Sequence, residues 1–443
     1  MSEFILTAPY IFTNSEDYPL LKSGAVLVEN GIISEISSTG DAKRKHPDIE
    51  EINFSEGLLT PGLVNLHHHL YSSFACGWNP GGSPPEDFLQ ILNNVWWKLD
   101  KSLQLEDIYY SAMIGLCQSL KMGVTSVVDH HASQRTVTGS LDSIAKAFKD
   151  VDVKGSICFE LTDREGDKLF EEGLQETTDA LSKWSGKSNS SKIMAMIGLH
   201  ASFTLSDDSL KRISENFSSF DVGYHFHLAE DKSDQVDSIR QHGLRVTHRF
   251  EKFGILGPKS LAIHGVHLND DEAGLLRETQ TNLVLCARSN QNNAVSLPDW
   301  RKYDGVNIGL GTDGIGSDMV GEAKSALYIS HHVFGDPSFG FADIGNMLLN
   351  KNPEILQKIT GLKTGKIEPG YPADMVLWRY DPPTPLTDEN ILGHYFYGLY
   401  NLQADSVWVD GNMILKNSDF TNFHYAELVG ESRLRAKKLW ERM

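Results

Sequence analysis

The stretch Gly62-Leu-Val-Asn-Leu-His-His-His69 is a short apolar run that ends in three histidines. Such a run after a Pro-Gly pair predicts a buried β-strand. Side chains alternate between the two faces of a strand, so His67 and His69 are expected to share a face, with His68 on the other. An HxH pair alone is a weak sign of a metal site, because two polar residues at a strand exit give the same pattern.

Seven similar β-like runs follow along the chain, and helical stretches separate most of them. The eight runs are Gly62–His69, Val124–His131, Gly155–Thr162, Ile193–His200, Val222–Leu228, Ser260–Gly265, Asn282–Ala287 and Val306–Gly311. The helical stretches include Leu105–Lys121, Leu141–Asp150, Asp207–Phe217, Lys232–Phe253 and Asp270–Arg277. Eight β/α repeats over roughly 250 residues predict an α/β fold of the TIM (β/α)8 barrel type.

Both ends of the chain carry hairpin patterns that lie outside this repeat. Two β-rich runs flank Asn30-Gly31 and two more flank Asp410-Gly411, and these dipeptides are strong hairpin signals. We therefore expect one small β-sandwich domain assembled from both chain termini. The predicted organisation is residues 1–59 as its N-terminal part, 60–364 as the barrel, and 365–443 as its C-terminal part with a C-terminal helix.

Composition excludes several classes of function. Of 443 residues, 40% are hydrophobic and 22% charged, as in folded globular proteins, and the net charge of −19 disfavours nucleic acid and anionic membranes as partners. No run approaches the ~18 apolar residues of a membrane helix, and the N-terminus lacks the basic start of a secretory signal. The four cysteines form no CxxC pair, so a cytoplasmic location is expected. A homo-oligomer is left open.

Polar residues stand at the C-terminal ends of nearly all eight predicted strands. Catalytic groups of such barrels lie at this end and come from several strands. Packing alone does not explain so many polar ends on apolar strands, and imidazole with carboxylate suits zinc and related ions. These end positions are His67 to His69, Asp129 to His131, His200, His225, His227 with Glu230, His264, Arg288 and Asp313.

Several motifs resemble those of the amidohydrolase superfamily, and the likeness covers nearly the whole chain. Residues 60–69 (TPGLVNLHHH) resemble its PG-x-x-x-x-HxH signature, and residues 227–230 (HLAE) resemble its HxxE element. His264 resembles its sixth-strand histidine and Asp313 its eighth-strand aspartate. Residues 365–374 resemble the segment that returns to the β-sandwich. Residues 286–290 and 311–319 make the chain most similar to the SsnA-type aminohydrolases of the cytosine deaminase and chlorohydrolase branch.

The resemblance implies one divalent metal ion per chain, zinc or iron. Its ligands would be His67, His69, His227 and Asp313. His264 would contact the water or the substrate. Binuclear members use a carboxylated lysine late in the fourth strand, where this chain has none, since Lys192 lies at the other end. A single ion is therefore expected, with Glu160 left open as a bridging alternative.

The resemblance also implies hydrolytic deamination of an amino-substituted nitrogen heterocycle, such as a purine, pyrimidine, pterin or triazine. A divalent ion lowers the pKa of bound water from 15.7 toward ~7. Asp313 would accept the water proton and His264 would orient the hydroxide. Glu230 would protonate a ring nitrogen, although an acid that merely favours a helix start is the simpler alternative. His200 and Arg288 are predicted to face the substrate, with Arg288 holding a carbonyl or carboxylate.

Other interpretations stay open at this stage. Another C–N or C–Cl bond could be hydrolysed, as in cyclic amidases and chlorohydrolases. A non-catalytic scaffold on the same fold is a further alternative, but such a protein should lack ligands that this chain retains. The sequence does not say which of His130 and His131 faces the site. Trp96, Trp97 and Phe74 are interpreted as packing residues rather than substrate contacts.

Overall fold

Two nine-stranded β-sheets organise the protein, whose computed structural model describes residues 3–185 and 192–443. In chain order the strands are β1 (Phe4–Phe12), β2 (Leu20–Glu29), β3 (Ile32–Ser38), β4 (Glu51–Asn53), β5 (Leu58–Pro61), β6 (Leu63–His68), β7 (Val124–His131), β8 (Lys154–Leu161), β9 (Ile193–Ala195), β10 (Ile197–Leu199), β11 (Tyr224–Leu228), β12 (Leu261–His264), β13 (Asn282–Leu285), β14 (Ile308–Leu310), β15 (Met375–Trp378), β16 (Ala404–Val409), β17 (Asn412–Lys416) and β18 (Asp419–Phe420).

Helices separate most of the strands of the middle region. The α-helices are α1 (Thr39–Lys45), α2 (Phe88–Ile91), α3 (Trp97–Ser102), α4 (Leu105–Lys121), α5 (Ser140–Val151), α6 (Asp167–Trp184), α7 (Asp207–Phe217), α8 (Lys232–His242), α9 (Val246–Lys252), α10 (Asp270–Glu278), α11 (Ala287–Asn292), α12 (Met319–Phe334), α13 (Phe341–Asn346), α14 (Asn352–Thr360), α15 (Ile391–His394) and α16 (Tyr425–Trp440). Short 3₁₀ segments occur at Leu70–Ala75, Ser202–Thr204 and Trp300–Lys302, and π-helical segments at Leu92–Trp96, Met347–Lys351 and Tyr395–Leu399. Over the described ranges, no helix combines the length and apolarity needed to cross a membrane.

The middle strands form the predicted barrel. They are parallel and lie in the order β14-β13-β12-β11-β10-β8-β7-β6, with β9 pairing β8. The two outer strands approach each other at one end, where His68 and Asp313 form a parallel bridge. There the Asp313 N–H donates to the His67 carbonyl over 3.0 Å. The barrel is therefore nearly closed, and the C-terminal ends of its strands open on one side.

Strands from both ends of the chain form the second sheet. Its order is β18-β17-β16-β15-β5-β1-β2-β3, with β4 paired to β1. The antiparallel pairing of β15 with β5 joins the N-terminal strands to the C-terminal ones. The prediction of a β-domain built from both termini is thus confirmed, and its strands are joined in one continuous mixed sheet.

The two predicted hairpin turns contact each other in this sheet. Asn30 and Gly31 have φ values of 54° and 81°, and Asp410 and Gly411 have values of 48° and 75°. Positive φ at both central residues is what a tight hairpin turn of this hand requires. A Cβ atom on Gly31 would lie 2.4 Å from the Asp410 carbonyl oxygen, so only glycine fits this contact.

Three local features differ from the sequence-based expectations. The fourth predicted strand is divided, because β9 pairs with the early part of β8 and β10 with its end. The predicted helix over Lys232–Phe253 is two helices, α8 and α9, separated at Gly243. The long helix α6 was not among the predicted helical stretches.

Candidate active site

The five residues of the predicted metal site come together at the open end of the barrel. The Nε2 atom of His69 lies 3.2 Å from Nε2 of His227 and 3.2 Å from Oδ1 of Asp313. The Nε2 atom of His67 lies 3.7 Å from Oδ1 of Asp313. The Nε2 atom of His264 lies 3.7 Å from the other carboxylate oxygen, Oδ2. Two overlapping groups, His67 with His227 and His264, and His67 with His69 and Asp313, therefore each bring their ligand atoms within 4.8 Å of one another.

Hydrogen bonds at the far side of three of these rings fix their orientation. In each ring Nδ1 has an acceptor, so Nδ1 carries the proton and the Nε2 lone pair points into the site. The bonds run from His69 to the His130 carbonyl (2.6 Å), from His227 to the His200 carbonyl (3.0 Å) and from His264 to Oδ1 of Asn290 (2.8 Å).

A second histidine fixes the ring of His67. Its Nδ1 lies 2.8 Å from Nε2 of His225, and Nδ1 of His225 lies 3.6 Å from the sulfur of Cys158. A proton on Nδ1 of His67 and another on Nδ1 of His225 satisfy both contacts. His225 therefore positions a predicted ligand without facing the site itself.

The donor atoms fit a divalent metal ion. Nε2 of His67 and Nε2 of His264 are buried and have no hydrogen-bond partner among the described residues. Burial lowers the pKa of His67 well below its usual range and that of His227 to about 3, so both rings are neutral and available as ligands. Imidazole nitrogens with one carboxylate are a donor set for zinc or iron.

The backbone at the site adopts an uncommon conformation. His264 and Asp313 have positive φ values of 74° and 56°, and Ala229, beside the predicted acid Glu230, has 47°. Residues other than glycine seldom occupy this region, and such residues concentrate at functional sites. The folded barrel thus holds these positions against their local preference.

The two predicted catalytic acids lie in different electrostatic environments. Burial raises the pKa of Glu230 to about 7, so this carboxyl can carry a proton at neutral pH. Its Oε2 lies 3.4 Å from Nε2 of His264, and its Oε1 accepts a hydrogen bond from Asn293. Burial would also raise the pKa of Asp313, but the neighbouring His67 and His69 bring it well below its usual range. One acid suits proton donation and the other suits ligation and proton acceptance.

A cavity opens directly onto these groups. Both polar side chains and aromatic rings line it. Its lining includes His69, His200, His227, Glu230, Asp313, Tyr71, Phe88, Leu92, Trp96, Trp97, Asp100 and Glu160.

Comparison with known protein families matches residues 58–414 to the amidohydrolase family. The chain belongs to the amidohydrolase family. This match confirms the family predicted from the sequence motifs, and the SsnA-like branch is consistent with it.

Individual relatives of this amidohydrolase span nearly its full length. A 5-methylthioadenosine/S-adenosylhomocysteine deaminase of Pyrococcus furiosus is 28% identical over 91% of this chain and 93% of its own. A 5'-deoxyadenosine deaminase of Methanosarcina acetivorans is 27% identical over 99% of both chains. Among solved structures, a zinc-bound adenosine deaminase of Xanthomonas campestris has a TM-score of 0.86 at 21% identity, covering 99% of this chain and 98% of that one. The structural likeness supports the barrel fold.

The two residues predicted to bind substrate occupy different surroundings. His200 lines the cavity, and its Nδ1 pairs with the Thr204 hydroxyl at 2.8 Å. Arg288 does not line the cavity. Its guanidinium donates to the carbonyls of Ile315 and Asp318, because β13 ends at Leu285 and the chain then turns into α11. The geometry gives no support to a substrate role for Arg288.

The structure also settles which of two adjacent histidines faces inward. The ring of His130 lies among the site histidines and donates from Nε2 to the Leu199 carbonyl at 3.0 Å. The ring of His131 points away and pairs with the Ser133 hydroxyl. Trp96 and Trp97 line the cavity, whereas Phe74 is buried in the hydrophobic core.

Sequence reasoning missed several residues that contact the site. Ser289 donates to Oδ2 of Asp313 at 2.6 Å, and Asn293 contacts Glu230. Asp100 and Arg164 form an ion pair at the cavity wall and come from α3 and from the loop after β8. Strand alternation points to none of them, because they lie on a helix or in a loop. Ser289 stands within the motif of residues 286–290, but the motif did not indicate its contact with Asp313.

Proposed function

We propose that this amidohydrolase is a metal-dependent deaminase of an amino-substituted nitrogen heterocycle, with one zinc or iron ion per chain. The observation that carries the proposal is the contact between Glu230, which can hold a proton at neutral pH, and the convergent donor set at the base of the cavity. Purines and their nucleosides are the first class to test, because the relatives are named as deaminases of adenine nucleosides.

The proposed ligands are His67, His69, His227 and Asp313. When bound, the ion activates a water molecule by lowering its pKa toward ~7. The buried and unpaired Nε2 of His67 and the short distances among the other ligand atoms support this set.

Side chains of the protein carry out the proton transfers and orient the nucleophile. Asp313 is ionised and can accept the proton of the attacking water, while Ser289 holds its Oδ2 in place. Glu230 donates its proton to a ring nitrogen as the adjacent carbon is attacked. Asp313 passes the proton taken from water to the departing amine, and Glu230 recovers a proton from the new hydroxyl group as the carbonyl forms. His264, oriented by Asn290, presents Nε2 to the nucleophile. Closely placed groups with matched protonation states are what such an addition and elimination require.

Location and domain limits are part of this proposal. All four cysteines are free, which supports the expected reducing cytoplasm. We retain the domain limits of residues 1–59, 60–364 and 365–443. The partner is a small heterocyclic molecule.

An ammonia-release screen over aminoheterocycles, with chloride release measured in parallel, tests the reaction. Metal-loaded protein should release ammonia from at least one compound, and a chelator should abolish this release. Chloride release without ammonia would move the assignment to dehalogenation. Loss of ammonia release in Glu230→Gln, with metal content unchanged, would tie the activity to this site.

A further inference from the structure

A groove separate from the catalytic cavity lies between helix α16, near the end of the chain, and helix α4 of the barrel. Its volume is about 480 Å³, which is within the usual range of small-molecule sites. In the described part of the chain, it shares no lining residue with the catalytic cavity. Much of its lining is apolar and only partly buried, at Ile114, Tyr425, Val429 and Trp440.

Polar contacts hold α16 in place beside this groove. The indole N–H of Trp440 donates to the Phe74 carbonyl at 2.8 Å, and both residues line the groove. Two ion pairs join α16 and the residues just after it to the first turn of α4. They are Arg435 with Glu106 and Arg442 with Asp107. The groove is therefore formed before any ligand arrives, which lowers the entropic cost of binding.

Two cationic side chains border the groove without an acidic partner. Arg433 and Lys437 are exposed, stand four residues apart on α16 and pair with no carboxylate among the described residues. Like charges at this spacing repel each other and destabilise a helix. Over the described ranges, no aspartate or glutamate lines the groove, although the whole chain has a net charge of −19. The groove thus combines apolar surface with a local positive charge in an acidic protein.

This combination of charge and apolar surface matches an amphipathic anion. A hydrocarbon chain would remove the partly buried apolar side chains from water. Arginine and lysine side chains have flexible stems, so Arg433 and Lys437 can both reach a carboxylate at the edge of the groove and form charge-assisted hydrogen bonds with it. A neutral apolar molecule would leave both cations unpaired, and a cationic one would be repelled.

We propose that the groove between α16 and α4 binds a single-chain carboxylate, such as a medium-chain fatty acid. Its hydrocarbon part lies against Val429 and Trp440, and its carboxylate pairs with Arg433 and Lys437. This site goes beyond the proposed deamination, because its residues take no part in that chemistry.

Three compounds test the anionic group and the chain separately. Decanoate, decylammonium and hexanoate are titrated into the full-length protein by calorimetry at low salt and about pH 7.5, where the acids and the amine are all ionised. Decanoate should bind at least about tenfold more tightly than decylammonium, which has the same chain length and the opposite charge. Each fully buried methylene adds about fourfold to affinity, so hexanoate should bind at least about thirtyfold more weakly than decanoate.

Cys76 reports where the ligand binds. It lines the groove and is exposed, whereas the other three cysteines are buried. Iodoacetamide should therefore alkylate Cys76 first, because exposure controls the reactivity of a thiol. Saturating decanoate should slow this alkylation at least about fivefold, and hexanoate at the same concentration should have little effect. Protection of Cys76 distinguishes binding in the groove from binding of the carboxylate elsewhere.

Variants of α16 test the assigned role of the two cations. Arg433→Gln and Lys437→Gln should each weaken decanoate binding at least about fivefold. Lys438→Gln is the matched control, because Lys438 is an exposed cation at the next position of α16 that does not line the groove. Ala436→Phe places a ring in the groove and should abolish the protection of Cys76 by decanoate. Thermal melting reports whether each variant folds.

The possible outcomes either support or overturn the proposed site. Equal affinities for decanoate and decylammonium, or binding that folded Arg433→Gln and Lys437→Gln proteins leave unchanged, would overturn charge recognition. Absence of decanoate binding, or alkylation of Cys76 at an unchanged rate, would overturn the site itself. Alkylation that slows as protein concentration rises, without decanoate binding, would show that a second copy of the chain covers the groove instead. The ammonia screen does not depend on any of these results.

Discussion

The base of the cavity and its charged wall are built in different ways. At the base, each of His67, His227 and Asp313 stands at the end of a barrel strand, so the regular repeat of the barrel brings them together. On the wall, Asp100 and Arg164 come from a helix and a loop whose positions follow from packing. The proposed chemistry therefore depends on strand ends that the scaffold itself aligns, whereas the charged wall depends on the packing of segments inserted between the strands.

The largest expected effect is the loss of metal and activity when a ligand at the base of the cavity is removed. His67→Ala should lose its metal and with it all measurable activity, because a ligand with an unpaired Nε2 is removed. His68→Ala is the matched control, since the ring of His68 contacts Ser317 on the other face of the strand. Elemental analysis of both variants, loaded alike, checks this. Two ions per chain in the parent protein, or equal metal loss in both variants, would contradict the assignment.

The next effect separates the two acids at the base. Glu230→Gln should lose at least ~10²-fold in kcat and keep its metal, because glutamine cannot supply a proton. Asp313→Asn should be equally impaired and should also hold its metal less tightly. Metal content measured beside kcat distinguishes them. If the Glu230→Gln protein stays active, Glu230 does not supply the proton and only stabilises the start of a helix.

A smaller effect, on metal affinity, is expected at His225, which contacts the proposed ligand His67. His225→Gln should weaken metal affinity by roughly 10- to 100-fold, because the hydrogen bond that orients His67 is altered. His131→Gln, a buried histidine that points away from the site, should change affinity little. Competition with a chelator of known affinity measures both. Equal metal affinities of the His225→Gln and His131→Gln proteins would mean that the strand backbone alone orients His67.

The smallest functional effect is expected at Arg288. Arg288→Ala should change KM by less than about threefold and lower stability by about 1–2 kcal/mol, since its guanidinium bonds backbone carbonyls at Ile315 and Asp318. Steady-state kinetics and thermal unfolding give the two numbers. A large rise in KM with unchanged stability would restore the substrate role predicted from the sequence.

The same contrast explains how much the sequence predicted. Runs of apolar residues with polar ends sufficed for the barrel and for the convergence of His67, His69 and Asp313, because strand period and strand direction fix where such side chains lie. Arg288 was predicted to face the cavity, but it does not line it. Its strand ends at Leu285 and a helix begins at Ala287, so the alternation of side chains along a strand does not extend to Arg288. Asp100 and Arg164 escaped notice because only the packed fold brings them within 2.7 Å.

The sheet that joins the two ends of the chain has a consequence for synthesis on the ribosome. Trp378 on β15 donates to the Thr60 hydroxyl at the end of β5 across 318 positions of sequence, and β5 offers β15 one of its edges. Contacts this distant in sequence form slowly. During synthesis of the barrel, the β5 edge that pairs with β15 stays unpaired, because β15 has not yet been synthesised. An unpaired strand edge promotes aggregation or chaperone binding. A chain truncated before β15 would keep that edge open.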